Sequence, residues 1–321
     1  MRKQSPNIEN TEIHPGYYTM RWMGTILRWF YLICTAFLIL YPLLYMIALS
    51  VRSKADFLDI TVIWLPKFPT LEHFKTTIFD VKLLDAMKNT AWISMGSTLL
   101  QIFVTALTGY GFARFKFKGS RFLFAFVITG IIVPAQMLGM PNYLLFKNLD
   151  LFGLFHFITG KESPISLLDN LGAFYLPAAL GQGLRSGVFI LVFRQFFSGL
   201  PIELEEAALI DGCGHTKTFF RVMLPNATMP IVVYSMFSLV WYWSDYFSVY
   251  IYLSEMKILS VRLTELRMML EYILPRENYN TWYTIPIEQA ACLLSILPLI
   301  IIFIIGQRWF VQGIDRTGIV G

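Results

Sequence analysis

The chain has 321 residues, of which 56% are hydrophobic, and its mean hydropathy is +0.57. This composition excludes an ordinary soluble globular protein, since uncharged runs long enough to cross a bilayer, about 20 residues each, recur along the sequence. The formal net charge of +5 lies mostly beside these runs, which favours the positive-inside pattern of membrane proteins over nucleic-acid binding.

The first half of the chain predicts three membrane-spanning helices. Only helices or closed barrels satisfy the backbone in lipid, and no period-two alternation repeats here, so the apolar runs predict an all-α membrane protein. After a cytoplasmic tail over residues 1–28, we place spans at residues 30–49, 89–113 and 122–138. Pro42 is a possible kink in the first span, and the third is predicted to break near Pro134 and Pro141. The second span is followed by four basic residues and no acidic one, which places this loop inside: Arg114, Lys116, Lys118 and Arg121.

The second half predicts three more spans, at residues 171–193, 227–253 and 286–307. Mixed-charge segments over residues 51–88 and 254–285 are expected outside. Six spans then form one domain over residues 29–310, and both termini, including the tail at 311–321, are predicted to be cytoplasmic.

Residues 200–225 form a polar island between the fourth and fifth spans. Pro201 suits the first position of a helix, and Leu204, Ala207 and Ala208 then share one helical face. Gly212 tolerates the left-handed conformation that ends a helix. A second short helix is predicted to begin at a Thr216 cap and to end at Pro225.

Signatures of chemistry are missing from the sequence. The three cysteines are far apart, the four histidines form no HExxH pair, and no GxxxxGK[ST] phosphate-binding loop occurs. We therefore expect no metal site, no cofactor and no catalytic residue in this chain.

The polar island carries a resemblance. Glu206-Ala207-Ala208, Asp211-Gly212 and Leu224-Pro225 resemble the EAA loop of ABC-importer permeases, which docks into a groove of a cytoplasmic ATPase subunit. Two further runs resemble the carbohydrate branch, the relatives of the maltose-transporter inner-membrane permeases: Phe193 to Phe197, and Gly306 to Gly313. The alternative interpretation is an amphipathic loop whose EAA spacing is accidental.

The resemblance implies a polytopic six-helix transmembrane domain of a type I ABC importer in a bacterial cytoplasmic (inner) membrane, surrounded by lipid. The implied partners are a second homologous permease, a dimer of ABC ATPases that binds the ATP and Mg²⁺, and an extracytoplasmic solute-binding protein. The implied substrate is a carbohydrate, and an amino acid or peptide is the alternative. Residues 158–170 resemble an insertion relative to the shorter family pattern.

Three ionisable residues fall within the predicted spans, and such residues face a bundle interior, water or a partner: Arg185, Asp245 and Glu288. We expect Arg185, close to the middle of the fourth span and next to Gln182, to face the translocation path. It would pair with Asp245 or meet a polar or acidic group of a sugar; the alternatives are snorkelling or contact with a neighbouring subunit.

Asp245 lies among aromatic residues, including Trp243 and Tyr246. This stretch is typical of a platform for sugar rings, and equally of an interfacial aromatic belt. Glu288 lies near the start of its span, where it can simply reach the interface.

Overall fold

The computed structural model describes the backbone of residues 15–149, 154–160, 165–276 and 279–317, and the side chains of residues 22–149, 157–160, 165–276 and 279–309. The tail before residue 15, the last four residues, and residues 161–164 of the suspected insertion lie outside this part. Within it the chain is helical, and its one extended pairing is an isolated antiparallel bridge between Leu149 and Ile165. The predicted all-α class is confirmed.

The described helices, in chain order, are α1 (Pro15–Ser50), α2 (Lys54–Leu58), α3 (Glu72–Phe79), α4 (Leu83–Arg114), α5 (Ser120–Ile132), α6 (Ala135–Lys147), α7 (Leu154–Thr159), α8 (Gly172–Ala179), α9 (Ser186–Gly199), α10 (Glu203–Ile210), α11 (His215–Thr218), α12 (Leu224–Asn226), α13 (Thr228–Ser244), α14 (Phe247–Tyr252), α15 (Leu259–Ile273) and α16 (Thr281–Thr317). A π-helical turn, Phe219–Met223, joins α11 to α12.

Three helices are long and apolar enough to cross a membrane alone: α1, α4 and α16. Three bent pairs pass the same test: α5 with α6 (106°), α9 with α10 (76°), and the stretch from α11 to α12 with α13 (77°). By length and composition, the described chain therefore offers three spans, or up to six if each bent pair is one. Three helices extend beyond the predicted spans. The first helix already begins at Pro15, inside the predicted tail, the second begins at Leu83, and the sixth runs from Thr281 to Thr317.

The third predicted span is bent. Val133, which precedes a proline, has an extended backbone and closes α5, and α6 starts after Pro134 at an angle of 106°. The predicted break near Pro134 is therefore confirmed. Pro141 lies within α6 and does not end it.

The fourth and fifth predicted spans are interrupted. Residues 180–185 separate α8 from α9, and two of them, Gly181 and Arg185, have positive φ angles of 73° and 55°. Asp245 and Tyr246 separate α13 from α14. Arg185 and Asp245 therefore lie at helix breaks, and the prediction of both inside continuous helices is wrong.

The segments that join the helices lie at the two opposite ends of α4. At the Leu83 end, Asn89 Nδ2 donates to Lys257 O (2.9 Å) from the segment after the fifth span. Tyr283 Oη at the start of α16 donates to Glu72 of α3 (3.0 Å). At the Arg114 end, α4 contacts residues 200–226 instead. The predicted grouping of connectors on two opposite sides matches this arrangement.

Candidate coupling segment and charges of the membrane domain

The first helix of the polar island, called here the coupling segment (residues 200–225), is α10. This helix starts at Glu203, two residues after Pro201, so the predicted first-position proline is wrong. Three acidic residues occupy its first turn, Glu203, Glu205 and Glu206, where the helix dipole favours negative charge.

Gly212 ends α10 as predicted. Its φ is +80°, the Gly212 amide donates to Leu209 O (3.1 Å), and the Cys213 amide donates to Ala208 O (3.0 Å). These two bonds are the Schellman pattern, which needs a residue that tolerates left-handed backbone. A Cβ on Gly212 would meet no atom within 4 Å, so the glycine is required by its backbone conformation and not by crowding inside this chain.

The second half of the segment differs from the prediction. Gly214, and not Thr216, precedes α11, and no side chain caps that helix. Helical structure continues through the π-turn, and Pro225 lies within α12 without ending it. The chain then changes direction by 77° where α13 begins. Leu224 packs against a buried aromatic cluster.

The burial of α10 follows one acidic and one small residue and not its leucines. The buried residues are Glu205 and Ala208, whereas Leu204 is 39% exposed. The opposite face presents Glu206 and Ala207 to the outside, together with Ile210, which is 86% exposed. The coupling segment therefore turns a mixed acidic and apolar surface away from its own chain.

Glu205 is held by two residues of α4. The Tyr110 hydroxyl donates to Glu205 Oε1 at 2.8 Å, and Arg114 Nε lies 3.4 Å from Oε2 in an ion pair. Arg114 Nη2 also donates to Leu200 O at 2.7 Å. The side chains of Arg114 and Glu205 are only 9% and 10% exposed, so solvent screens the pair weakly. Sequence reasoning missed this site, because Arg114 was used only as a marker of topology and Glu205 only as a charge.

Arg185 does not pair with Asp245. Its guanidinium lies over the Trp241 ring, 4.5 Å from the centroid, and the described residues form no ion pair that includes it. Arg185 and Gln182 are both exposed. The adjoining Leu184 amide donates to Tyr242 Oη at 3.1 Å, which brings the break in the fourth span against α13.

The aromatic stretch around Asp245 does not form one platform. Trp243 is buried, and its indole Nε1 donates to Ser295 O of α16 at 3.1 Å, so this ring belongs to the core. Tyr246 is 39% exposed and stacks on Tyr250 with centroids 5.4 Å apart. Asp245 Oδ1 accepts from the Ser248 amide at 3.2 Å, while Oδ2 is buried and has no hydrogen-bond partner among the described residues.

Glu288 forms a bidentate ion pair with Arg267. Arg267 of α15 donates from Nε and Nη2 to its two carboxylate oxygens, at 2.8 and 2.9 Å. No three His, Cys, Asp or Glu side chains of the described chain converge on a metal-sized site.

Comparisons with known proteins agree with this architecture. Residues 101–316 match the family described as "Binding-protein-dependent transport system inner membrane component". Similar proteins include the arabinooligosaccharides transport system permease protein AraQ of Halalkalibacterium halodurans, 27% identical over 89% of this chain and 93% of the relative. Another is the probable starch degradation products transport system permease protein AmyC of Thermoanaerobacterium thermosulfurigenes, 26% identical over 94% of this chain and 97% of the relative.

Among solved structures, the chain is similar to one from a crystal structure of a bacterial ABC transporter involved in the import of the acidic polysaccharide alginate. The TM-score is 0.70 at 19% identity, over 95% of this chain and 100% of that one. This likeness supports the fold, and the family match covers well over half of the sequence. The chain therefore belongs to the inner-membrane components of binding-protein-dependent transport systems.

Proposed function

We propose that this chain is a permease subunit of an ABC importer for a carbohydrate, and that it forms half of the transmembrane path. The family supports the transport role, and the names of AraQ and AmyC support a sugar or oligosaccharide over an amino acid or peptide. The observation that carries the proposal is the coupling segment, a short helix fixed on one side and open on the other.

The coupling segment supplies what docking on an ATPase needs. Glu206 and Ala207 are exposed and available to a partner, while Ala208 is buried beside Glu205 and fixes the orientation of the helix. Asp211 and Gly212 set the turn that follows, and Leu224 and Pro225 join it to the fifth span. A short helix held this way moves as a rigid body when a partner grips it.

The charges give the proposal an orientation. The coupling segment lies at the same end of α4 as the basic loop that runs from Arg114 to Arg121, and basic loops favour the cytoplasm. With six crossings, both termini then lie in the cytoplasm. ATP and Mg²⁺ are bound by the separate ATPase subunits, and the solute-binding protein meets the Leu83 end of α4.

The proposed path uses the two helix breaks. Arg185 and Gln182 are exposed at one break and Tyr246 at the other, and the Leu184–Tyr242 hydrogen bond brings the first break beside α13. Polar side chains and aromatic faces suit a sugar. Trp243 and Asp245 support this region from the buried side.

The decisive experiment is reconstitution with the partner permease, the ATPase and the binding protein. Glu206→Lys reverses the exposed charge of α10, so binding-protein-stimulated ATP hydrolysis and sugar uptake should each fall about tenfold or more, while the protein still inserts. Glu271→Lys, an exposed residue of α15 at the opposite end, is the matched control and should transport normally. Wild-type hydrolysis and uptake in Glu206→Lys would contradict the coupling role. Uptake across a panel of sugars and amino acids identifies the solute class.

A further inference from the structure

The helices attached to the coupling segment are poorly suited to carry its movement across the membrane. The fourth span is interrupted at residues 180–185 and the fifth at Asp245 and Tyr246. Backbone breaks absorb rotation and act as hinges. Of the three long helices, α1 contains Pro42 and α16 contains two prolines, whereas α4 contains none and is unbroken from Leu83 to Arg114.

The coupling segment is fastened to the Arg114 end of α4 by buried polar contacts. Glu205 accepts a hydrogen bond from the Tyr110 hydroxyl and forms an ion pair with Arg114, and Arg114 also donates to Leu200 O. The Tyr110 ring lies 5.1 Å from the Phe219 ring of the same segment. Separating these groups would leave a carboxylate and a guanidinium unpaired in a poorly hydrated site, which is strongly unfavourable.

The middle of α4 holds the helix break of the fourth span. Gln101 is fully buried, and its Nε2 donates to Leu184 O at 2.6 Å and to Ser186 Oγ at 2.9 Å. Its Oε1 accepts from Ser238 Oγ of α13 at 2.9 Å. One side chain of α4 therefore fixes the edge of the break and the neighbouring fifth span together.

The Leu83 end of α4 is bonded to the start of α15. The Leu259 amide donates to Thr90 Oγ1 at 3.0 Å in a buried site, and Asn89 Nδ2 donates to Lys257 O at 2.9 Å. From Thr90 to Arg114 the helix covers about 36 Å at 1.5 Å per residue, which exceeds the hydrocarbon thickness. The same rigid helix thus touches the coupling segment, the break and the opposite surface.

We propose that α4 transmits the movement of the coupling segment to the opposite side of the membrane, with Glu205 and Gln101 as positioning residues. The inference rests on the proposed importer function and assigns Glu205 a role separate from that of Glu206. Glu206 faces the ATPase, and Glu205 faces α4. A pull on α10 is passed through Glu205 to α4, and through Gln101 and Thr90 to the break and to α15.

Substitutions at the buried link test the proposal in the reconstituted importer. Glu205→Gln removes the charge, and Tyr110→Phe removes only the hydroxyl and keeps the ring, so the second variant remains informative if the first fails to assemble. Both should lower uptake per ATP hydrolysed, about tenfold for Glu205→Gln and less for Tyr110→Phe, with the ATPase still bound. Glu271→Gln makes the same change at an exposed residue of α15, outside the coupling segment, and is the control that should behave as wild type.

Distances between spin labels supply a readout that a merely structural role would not change. In a variant with Cys34, Cys213 and Cys292 replaced by serine, one label is placed at Glu203 of α10. The second is placed at Asp85, at the far end of α4, or at Tyr250, beyond the break in the fifth span; all three sites are exposed. ATP binding should leave the 203–85 distance unchanged and shift the 203–250 distance. In Tyr110→Phe, the 203–85 distance should broaden.

The outcomes separate this inference from the proposed function. If the wild-type assembly neither hydrolyses ATP nor imports solute, the proposed function fails. If the wild type transports and Glu206→Lys does not, but Glu205→Gln and Tyr110→Phe match Glu271→Gln, only the role of α4 is overturned. A 203–85 distance that shifts on ATP binding while 203–250 stays constant also overturns it.

Discussion

The coupling segment and the connector over residues 51–82 lie at opposite ends of α4. They differ in whether their charged side chains find partners within the chain. In the connector, Asp59 accepts from Lys67 Nζ at 2.6 Å, and Arg52 Nη2 donates to Ile63 O at 2.7 Å. In the coupling segment, Glu206 and Asp211 form no side-chain ion pair within the described chain.

The pKa values of the connector reflect this internal pairing. The hydrogen bond from Lys67 holds the pKa of Asp59 well below its usual range. Burial alone would raise the pKa of Asp56, but hydrogen bonds from the Phe68 and Lys67 amides and from Ser53 outweigh it, and the net shift is downward. Asp56 and Asp59 are therefore bonded within the connector itself, whereas the outward acids of the coupling segment are available to a partner.

The largest effect is expected where the coupling end packs most tightly. A Cβ on Gly109 of α4 would lie 2.6 Å from Phe193 Cβ and 2.9 Å from the Arg194 amide, so Gly109→Leu must push α4 and α9 apart. We expect a loss of stability of about 1–3 kcal/mol or more and little assembled importer. The measurement is thermal unfolding in detergent together with co-purification of the ATPase.

Gly111→Leu is the control for that experiment. A Cβ there meets no atom within 4 Å, and leucine favours a helix more than glycine does, so stability should be kept or slightly raised. Equal losses in both variants would show that the tight contact between α4 and α9 is not what matters.

The next effect separates coupling from stability. Gly212→Val forces a β-branched residue into a left-handed conformation, which costs about 1–2 kcal/mol and moves the end of α10. We expect uptake and binding-protein-stimulated ATP hydrolysis to fall together. Gly119→Val is the control, because Gly119 also has a positive φ (+87°) with open space around it but lies outside the coupling segment. The comparison fails if both variants lose transport equally.

A smaller effect, on stability alone, is expected in the connector. The Asp56 carboxylate accepts hydrogen bonds from the backbone amides of Lys67 (3.1 Å) and Phe68 (2.9 Å). In Asp56→Asn, the side-chain NH2 group cannot accept a hydrogen bond, so one of these amides loses its acceptor. The melting temperature should drop by a few degrees while uptake per folded transporter stays normal. Asp59→Asn, which breaks an exposed ion pair, should change the melting temperature less. A coupling defect in Asp56→Asn would show that the connector is not a passive cap.

The sequence predicted the spans better than their interruptions. Hydropathy sums over some 20 residues, so it locates six apolar runs but is insensitive to a short break inside one. The glycines on either side of Gln182 were a usable signal for the first break, whereas nothing comparable marks Asp245. Pro134 was predicted as a break because proline restricts the residue before it.

In the coupling segment, too, one feature was predictable from the sequence and another was not. The turn at Gly212 was predictable because few residues other than glycine adopt that backbone conformation. The burial of Glu205 was not, because its partner Tyr110 lies 95 residues earlier, and only the fold brings the two together. Helical periodicity alone does not say which face of α10 is buried, since a charged residue is buried where it finds a partner.

The smallest expected effect is a dependence of connector stability on pH through His73. This ring is buried, its Nε2 lies 3.0 Å from Arg52 O, and burial lowers the pKa of His73 below its ordinary value. The unfolded chain then binds a proton at a higher pH than the folded chain, so stability is complete above about pH 6.5 and falls as the pH drops from there toward the folded pKa. We expect the melting temperature to fall in this window, before the carboxylates of Asp56 and Asp59 are protonated at lower pH. His73→Gln cannot titrate and should show a flat melting temperature across the window, though a lower one overall. A wild-type melting temperature that is constant from about pH 7.5 to about pH 5, or a fall of equal size in His73→Gln, would rule out His73 as the titrating group.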